Sequence, residues 1–155
     1  MKRSVSEGIV ISPIKNGTVI DHITPGEGLT VIRILGIQDG TNVTFTVATN
    51  VTSSRGGRKD MVKIENRELV KSEVDKIALI APDAKISIIR DFKVIAKKPV
   101  EVPSDIVGVI KCPNPNCISN TREPAQSKFV VHPRGFRCQY CDTIISREMD
   151  IGDYI

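Results

Sequence analysis

Cys112-Pro113-Asn114-Pro115-Asn116-Cys117 and Cys138-Gln139-Tyr140-Cys141 contain the only four cysteines of the 155-residue chain. Each close pair can place two thiolates on one ion from a tight turn. The 20 residues between the pairs let the chain return and complete a tetrahedron. Four sulfurs leave no open coordination position, so the spacing points to a structural Zn2+ rather than a catalytic one. Two disulfides are the competing reading, and they require an oxidising compartment. Met1 leads into Lys2, Arg3 and mixed polar sequence without the apolar run of a signal peptide, and no 18-residue apolar stretch offers a membrane span. The expectation is a cytoplasmic protein with metal-bound thiols and no membrane partner.

The metal framework divides the rest of the chain. Lys97-Lys98-Pro99-Val100-Glu101-Val102-Pro103 carries two prolines that favour an extended connection. It therefore separates a first domain (1–98) from a linker (99–103) and a small metal-held domain (104–155). The net charge of +4 falls entirely within residues 1–101, and residues 102–155 balance to zero. A zinc-ribbon nucleic-acid-binding accessory protein, the alternative reading, would concentrate basic charge on the ribbon and usually add aromatic stacking platforms. The chain has no Trp and only six other aromatics. No nucleic-acid partner is expected.

In the first domain, residues 9–14 read as a short extended segment. Thr18 to Ile23 is a β-branched strand ending in Asp21 and His22. Thr24-Pro25-Gly26-Glu27 has capping-box spacing and predicts a helix over about 25–35, with Thr24 as its cap. Alternation at Val43, Phe45 and Val47 predicts a strand, Ser53 to Asp60 a polar loop, and Met61 to Glu65 a second strand carrying Lys63. Ser72 to Asp75 can cap a second helix that Pro82 stops, and extended runs follow at Ile86–Ile88 and Phe92–Ala96. This order predicts an α+β fold: a ferredoxin-like antiparallel sheet with two helices on one face. Short strands at 106–110, 128–131, 136–138 and 144–146 predict a small β, zinc-ribbon-like second domain.

Catalytic motifs are missing. With four thiols on a metal no cysteine nucleophile remains, and neither GxSxG, HExxH nor a Walker loop occurs. An enzyme is not expected. Asp21, His22, Lys63 and Lys97 stand out as one acceptor and several cations on strands or strand ends. Lysines suit phosphate oxygens and an aspartate suits ribose hydroxyls. Taken singly, each lysine reads first as solvated surface charge and His22 as a hydrogen-bonded structural histidine.

Four segments carry a resemblance: Gly17-Thr-Val-Ile-Asp-His-Ile23, Gly57-Arg-Lys-Asp-Met-Val-Lys-Ile-Glu-Asn66, Ala78-Leu-Ile-Ala-Pro82 and Val109-Ile-Lys-Cys-Pro-Asn-Pro-Asn-Cys-Ile-Ser-Asn120. With the cysteine framework, they make the chain resemble the regulatory chain of aspartate carbamoyltransferase over nearly its whole length. The resemblance implies a non-catalytic subunit of pyrimidine biosynthesis whose N-terminal domain binds ATP as activator and CTP as inhibitor, often with UTP. It implies that the zinc domain docks onto catalytic chains, that regulatory chains dimerise through their N-terminal domains, and that three dimers bridge two catalytic trimers. Asp21 is expected at the ribose, and His22, Lys63 and Lys97 at the phosphates. Ile14, Ile89 and Phe92 are expected around the base, with backbone groups near Ser12 and Pro13 reading its edge, and Val94 is expected in the same effector site. Cys112, Cys117, Cys138 and Cys141 are the expected metal ligands. Ser12, Ser87 and Phe92 stand where the family pattern has an acid, Asn and Tyr.

Overall fold

The computed structural model describes residues 13–37, 42–121 and 125–155. The chain forms two compact units, Met1–Val100 and Glu101–Ile155. The extended segment expected over 9–14 lies outside the described residues up to Ser12, and Pro13 and Ile14 belong to no strand.

The first unit is a five-stranded antiparallel sheet of β1 (Gly17–Ile23), β2 (Phe45–Thr52), β3 (Arg58–Glu65), β4 (Lys85–Arg90) and β5 (Lys93–Pro99), in the order β2-β3-β1-β4-β5. Two helices, α1 (Gly28–Ile34) and α2 (Lys71–Ile80), interrupt the strands. This is the split βαβ arrangement with one further edge strand. Ile20, Val62, Ile64 and Ile86 share one buried cluster with Val31 and Ile32 of α1 and Ile77 and Ala78 of α2. Both helices thus cover the same face, and with few aromatics in the chain the core is almost wholly aliphatic.

β1 is the central strand. Gly17 to Ile20 pairs with Glu65 to Val62 on one side and with Ile89 to Ile86 on the other. A side chain at Gly17 would put its Cβ 2.0 Å from the Ile64 carbonyl oxygen, and the φ of +145° further disfavours one. Register shifts interrupt the β1–β3 ladder between Ile20 and Ile23 and the β2–β3 ladder between Ala48 and Val51. Within these bulges His22 and Asn50 take left-handed φ values of 58° and 53°.

Two local expectations are corrected. Thr24 does not cap α1: Thr24 to Glu27 forms a turn closed by the Glu27 N–H on the Thr24 carbonyl, and the helix begins at Gly28. The polar loop is also shorter than expected, because β3 already starts at Arg58. Asp60 explains the first. Its side chain is fully buried on the helix-covered face, where Oδ2 accepts from the Gly26 and Gly28 N–H groups at 3.0 and 2.9 Å, and Oδ1 from Asn50 N–H at 2.7 Å. A carboxylate from another strand satisfies the orphan donors that a local cap would have met. At α2, Glu73 reaches back to the Val70 N–H, and Arg67 joins Glu73 to the Leu35 carbonyl at the end of α1.

The second unit is a four-stranded antiparallel sheet ordered β6-β7-β8-β9, from β6 (Asp105–Val107), β7 (Lys128–His132), β8 (Gly135–Cys138) and β9 (Ile144–Ser146). Ile106, Phe129 and Ile145 form its buried centre. β6 ends earlier than expected, because Gly108 turns the chain at φ +70°.

Asp60→Asn would turn one carboxylate oxygen into a donor facing other donors. It is expected to lower unfolding stability by roughly 3 kcal/mol, read from the denaturant midpoint. A midpoint equal to that of the wild type would rule out the capping role.

Candidate metal centre and candidate effector face

In the second unit the two cysteine turns face each other. Cys117 N–H bonds to the Asn114 carbonyl, and the Asn120 side-chain amide donates to the carbonyls of Cys112 and Asn114, both at 2.8 Å. Asn120 thus holds the first turn closed from outside it. The second turn is closed by Asp142 N–H on the Cys138 carbonyl, with Asp142 at φ +62°.

The four Sγ atoms all lie within 4.8 Å of one another. The close approaches run between the turns, 3.6 Å for Cys112 to Cys141 and 3.7 Å for Cys117 to Cys138. A disulfide requires about 2.05 Å, so neither of these close approaches is one. A tetrahedron with metal–sulfur bonds near 2.3 Å has edges of about 3.8 Å, and the four thiols fit it. Burial pushes the Cys112 thiol up to about 12 and raises that of Cys138. At Cys141 burial opposes ionisation, but hydrogen bonding, chiefly with Thr143, brings the thiol down to about 6. Ser119 Oγ lies 3.2 Å from Cys117 Sγ and Thr143 Oγ1 3.1 Å from Cys141 Sγ, giving both sulfurs a hydroxyl neighbour.

The first unit has a different feature. Side chains that alternate with the core positions stand on the sheet face that neither helix covers. Cross-strand pairing lines up Thr46, Lys63, Val19, Ser87 and Lys97 in one row across all five strands. The row on one side holds Gly17, Ile89 and Val94, with Ile14 against Gly17. The row on the other side holds Asp21 and Lys85. The face therefore runs from an apolar end, across two lysines, to an acidic residue among cations.

The predicted residues that are described take the following places. Lys63 is buried, and burial lowers its pKa against the pull of Glu65. Lys97 is exposed on the edge strand β5. Asp21 Oδ1 accepts from the Lys59 ammonium at 2.8 Å and from the His22 N–H at 2.7 Å. The His22 Nε2 stands 3.7 Å from Asp21 Oδ2. Ile89 is buried, whereas Val94 is 57% exposed and Phe92 65% exposed. Phe92 occupies the β4–β5 turn at φ +63°, and its N–H bonds to the Lys15 carbonyl. That bond ties the turn to the chain leading from Pro13 and Ile14 into β1. Ser12 lies outside the described residues. Lys59, Lys85 and Asp60 were missed by the sequence reading. The parity Lys59-Met61-Lys63 and Lys85-Ser87-Ile89 was the available signal for the two lysines.

Family comparison bears on both units. Residues 9–101 match the model of the aspartate carbamoyltransferase regulatory chain, allosteric domain, and residues 104–151 match the model of the metal binding domain of the same chain. The chain belongs to the aspartate carbamoyltransferase regulatory chain family. It is 83% identical over 155 residues to the regulatory chain of Methanocorpusculum labreanum, with both chains covered in full. It is also 59% identical to that of Methanosphaerula palustris, over 97% of this chain and 96% of the relative. A regulatory chain of aspartate carbamoyltransferase is a non-catalytic subunit in pyrimidine biosynthesis, with the catalytic chain as its partner. In this regulatory chain the thiol cluster lies in the metal binding domain and the charged face in the allosteric domain. No helix among the described residues is long and apolar enough to cross a membrane.

The pKa of His22 is lowered from 6.5, first by burial and then by Arg55, Lys59 and Lys85, with Asp21 acting in the opposite direction. Because the folded value lies below the unfolded one, the stability contributed by neutral His22 is complete above about pH 6.5. It is lost as pH falls through the folded value. NMR titration of the His22 ring is expected to give a midpoint below 6.5. A midpoint at or above 6.5 would contradict the burial and the cationic surroundings described above.

Proposed function

We propose that residues 1–98 form a nucleotide-effector domain that binds ATP, CTP and UTP on its helix-free sheet face. Residues 99–103 link it to a zinc domain, 104–155, that docks on the catalytic chain. The observation that carries this reading is the convergence of Asp21, Lys63 and Lys97 with Ile89 and Val94 on one face, from four different strands. The base rests at the apolar end against Ile14, Ile89, Phe92 and Val94. Asp21 accepts from a ribose hydroxyl, and His22, Lys63 and Lys97 meet the phosphates.

Backbone groups near Ser12 and Pro13 read the edge of the base. A carbonyl there accepts from the amino group of adenine or cytosine but not from a keto oxygen. Phosphate contacts common to all nucleotides supply affinity, and contacts to the base decide the direction of the effect. A nucleotide changes the activity of the partner only by binding one quaternary state better than another, typically by about 1–3 kcal/mol.

The four cysteines hold one structural Zn2+, whose role is to fold the second domain. A domain of this size has too small a core to hold itself together without such a clamp. Regulatory chains pair through their N-terminal domains, and three such dimers bridge two catalytic trimers in the cytoplasm. The deciding experiment mixes the purified chain with catalytic trimers and follows size and activity with each nucleotide added. A larger complex whose activity responds to ATP and CTP is the expected result, and a chain that binds CTP but never joins the trimers would refute the subunit role.

Lys97→Ala is expected to weaken ATP and CTP together, while the zinc content stays at one ion per chain. Unchanged calorimetric affinities would remove Lys97 from the site. Cys117→Ala is expected to lose the zinc, measured by atomic absorption, and with it the association with catalytic trimers. Normal assembly of that variant on a sizing column would show that docking does not depend on the metal-held fold.

A further inference from the structure

The two cysteine turns are not supported alike. Cys138 ends β8, where it pairs with Phe129 of β7, and its N–H and carbonyl bond to the Thr143 carbonyl and the Asp142 N–H at 2.9 and 3.0 Å. β9 begins at Ile144, so the sheet fixes both ends of the second turn. Neither Cys112 nor Cys117 belongs to a strand. The first turn also has four residues between its ligands against two in the second, and with them more backbone freedom to restrict.

Asn120 supplies that restriction. Its side-chain NH2 donates to the carbonyls of Cys112 and Asn114, both at 2.8 Å, and its backbone N–H donates to the Cys117 carbonyl, also at 2.8 Å. One residue outside the turn thus binds it at its start, its middle and its end. The partners fix the orientation of the amide, since its oxygen in the same place would face two acceptors. Cys112, Ser119 and Asn120 line a cavity of about 350 Å3, so hydrogen bonds rather than packing hold this side of the turn.

We propose that Asn120 is a positioning residue that sizes the metal centre for Zn2+ and disfavours a larger thiophilic ion such as Cd2+. The inference rests on the zinc reading given above. The edge of a tetrahedral site grows in proportion to the metal–sulfur bond, and Cd2+ forms longer bonds to sulfur than Zn2+ does. The closest sulfur pairs, at 3.6 and 3.7 Å, stand at the zinc edge of about 3.8 Å and not beyond it. Widening the second turn would break the bonds that join it to the sheet. Widening the first would stretch the bonds from Asn120 to the Cys112 and Cys117 carbonyls, through which Asn120 acts without touching the metal. Once these bonds are removed the first turn adjusts to either ion, and Zn2+ loses the advantage of a turn already held at its spacing.

The test is competition titration of the full-length chain against a metal chelator, with Zn2+ and Cd2+ in separate series. Asn120→Ala is expected to weaken Zn2+ about tenfold and Cd2+ by no more than about twofold, which moves the preference toward Cd2+ about fivefold. Asn120→Asp, equal in size but without the two donors, moves it in the same direction. Ile145→Val thins the buried centre of the same domain without removing a bond to either turn, and it is expected to weaken both ions alike. Equal losses of both ions in Asn120→Ala, or no loss of either, overturn the positioning role. A variant that takes up neither ion overturns it too, because Asn120 is then needed for the fold itself. In each of these cases zinc uptake by the wild-type chain still stands, whereas a wild-type chain that binds neither ion overturns the metal reading beneath it.

Discussion

The register of β1 is the constraint on which the first unit depends. A strand paired on both sides alternates its side chains with a period of two, so a slip of one residue would exchange its two faces. Here one phase puts Ile20 with Val62, Ile64 and Ile86 into the core beneath α1 and α2. The other phase puts Val19 with Lys63, Ser87 and Lys97 on the uncovered side. Core and charged face are thus two readings of one ladder. The hydrophobic requirement on the first phase holds the second in place.

The uncovered face is built from charges on short, well-paired strands, which suits recognition of an anion. Lys63 is buried between Thr46 and Val19 in its row, so its position is restricted. Asp21 is held by Lys59 and by its neighbour's amide, and His22 is held in a bulge at positive φ. Restricting side chains in advance lowers the entropy lost when a ligand binds. The second unit uses its ligating groups differently. Its cysteines sit in two turns tied by backbone bonds and by Asn120, and a sulfur-only set would leave a bound metal no open position for substrate.

Much of this was legible in residue order. Cysteine spacing identified the metal framework, β-branched composition located β1, and alternation located β2 and the central part of β3. The start of α1 was not legible, because Thr24-Pro25-Gly26-Glu27 has every local mark of a capping box. What overrides it is Asp60, 32 residues beyond Gly28 in sequence, and no local pattern announces a cap supplied by another strand. Lys59 and Lys85 were passed over for a related reason. Each reads alone as surface charge, and only cross-strand pairing brings them to either side of Asp21.

By itself the sequence determined the periodicities, the split βαβ order and the family, since all of these are carried by neighbours along the chain. Tertiary structure alone decided which sheet face stays uncovered, which cations share it, where α1 begins, and that the close sulfur contacts run between the two turns. The physical reason is one of range. Propensity and alternation act over a few residues, whereas the charged face and the capping carboxylate are made by ladder hydrogen bonds between strands far apart in sequence.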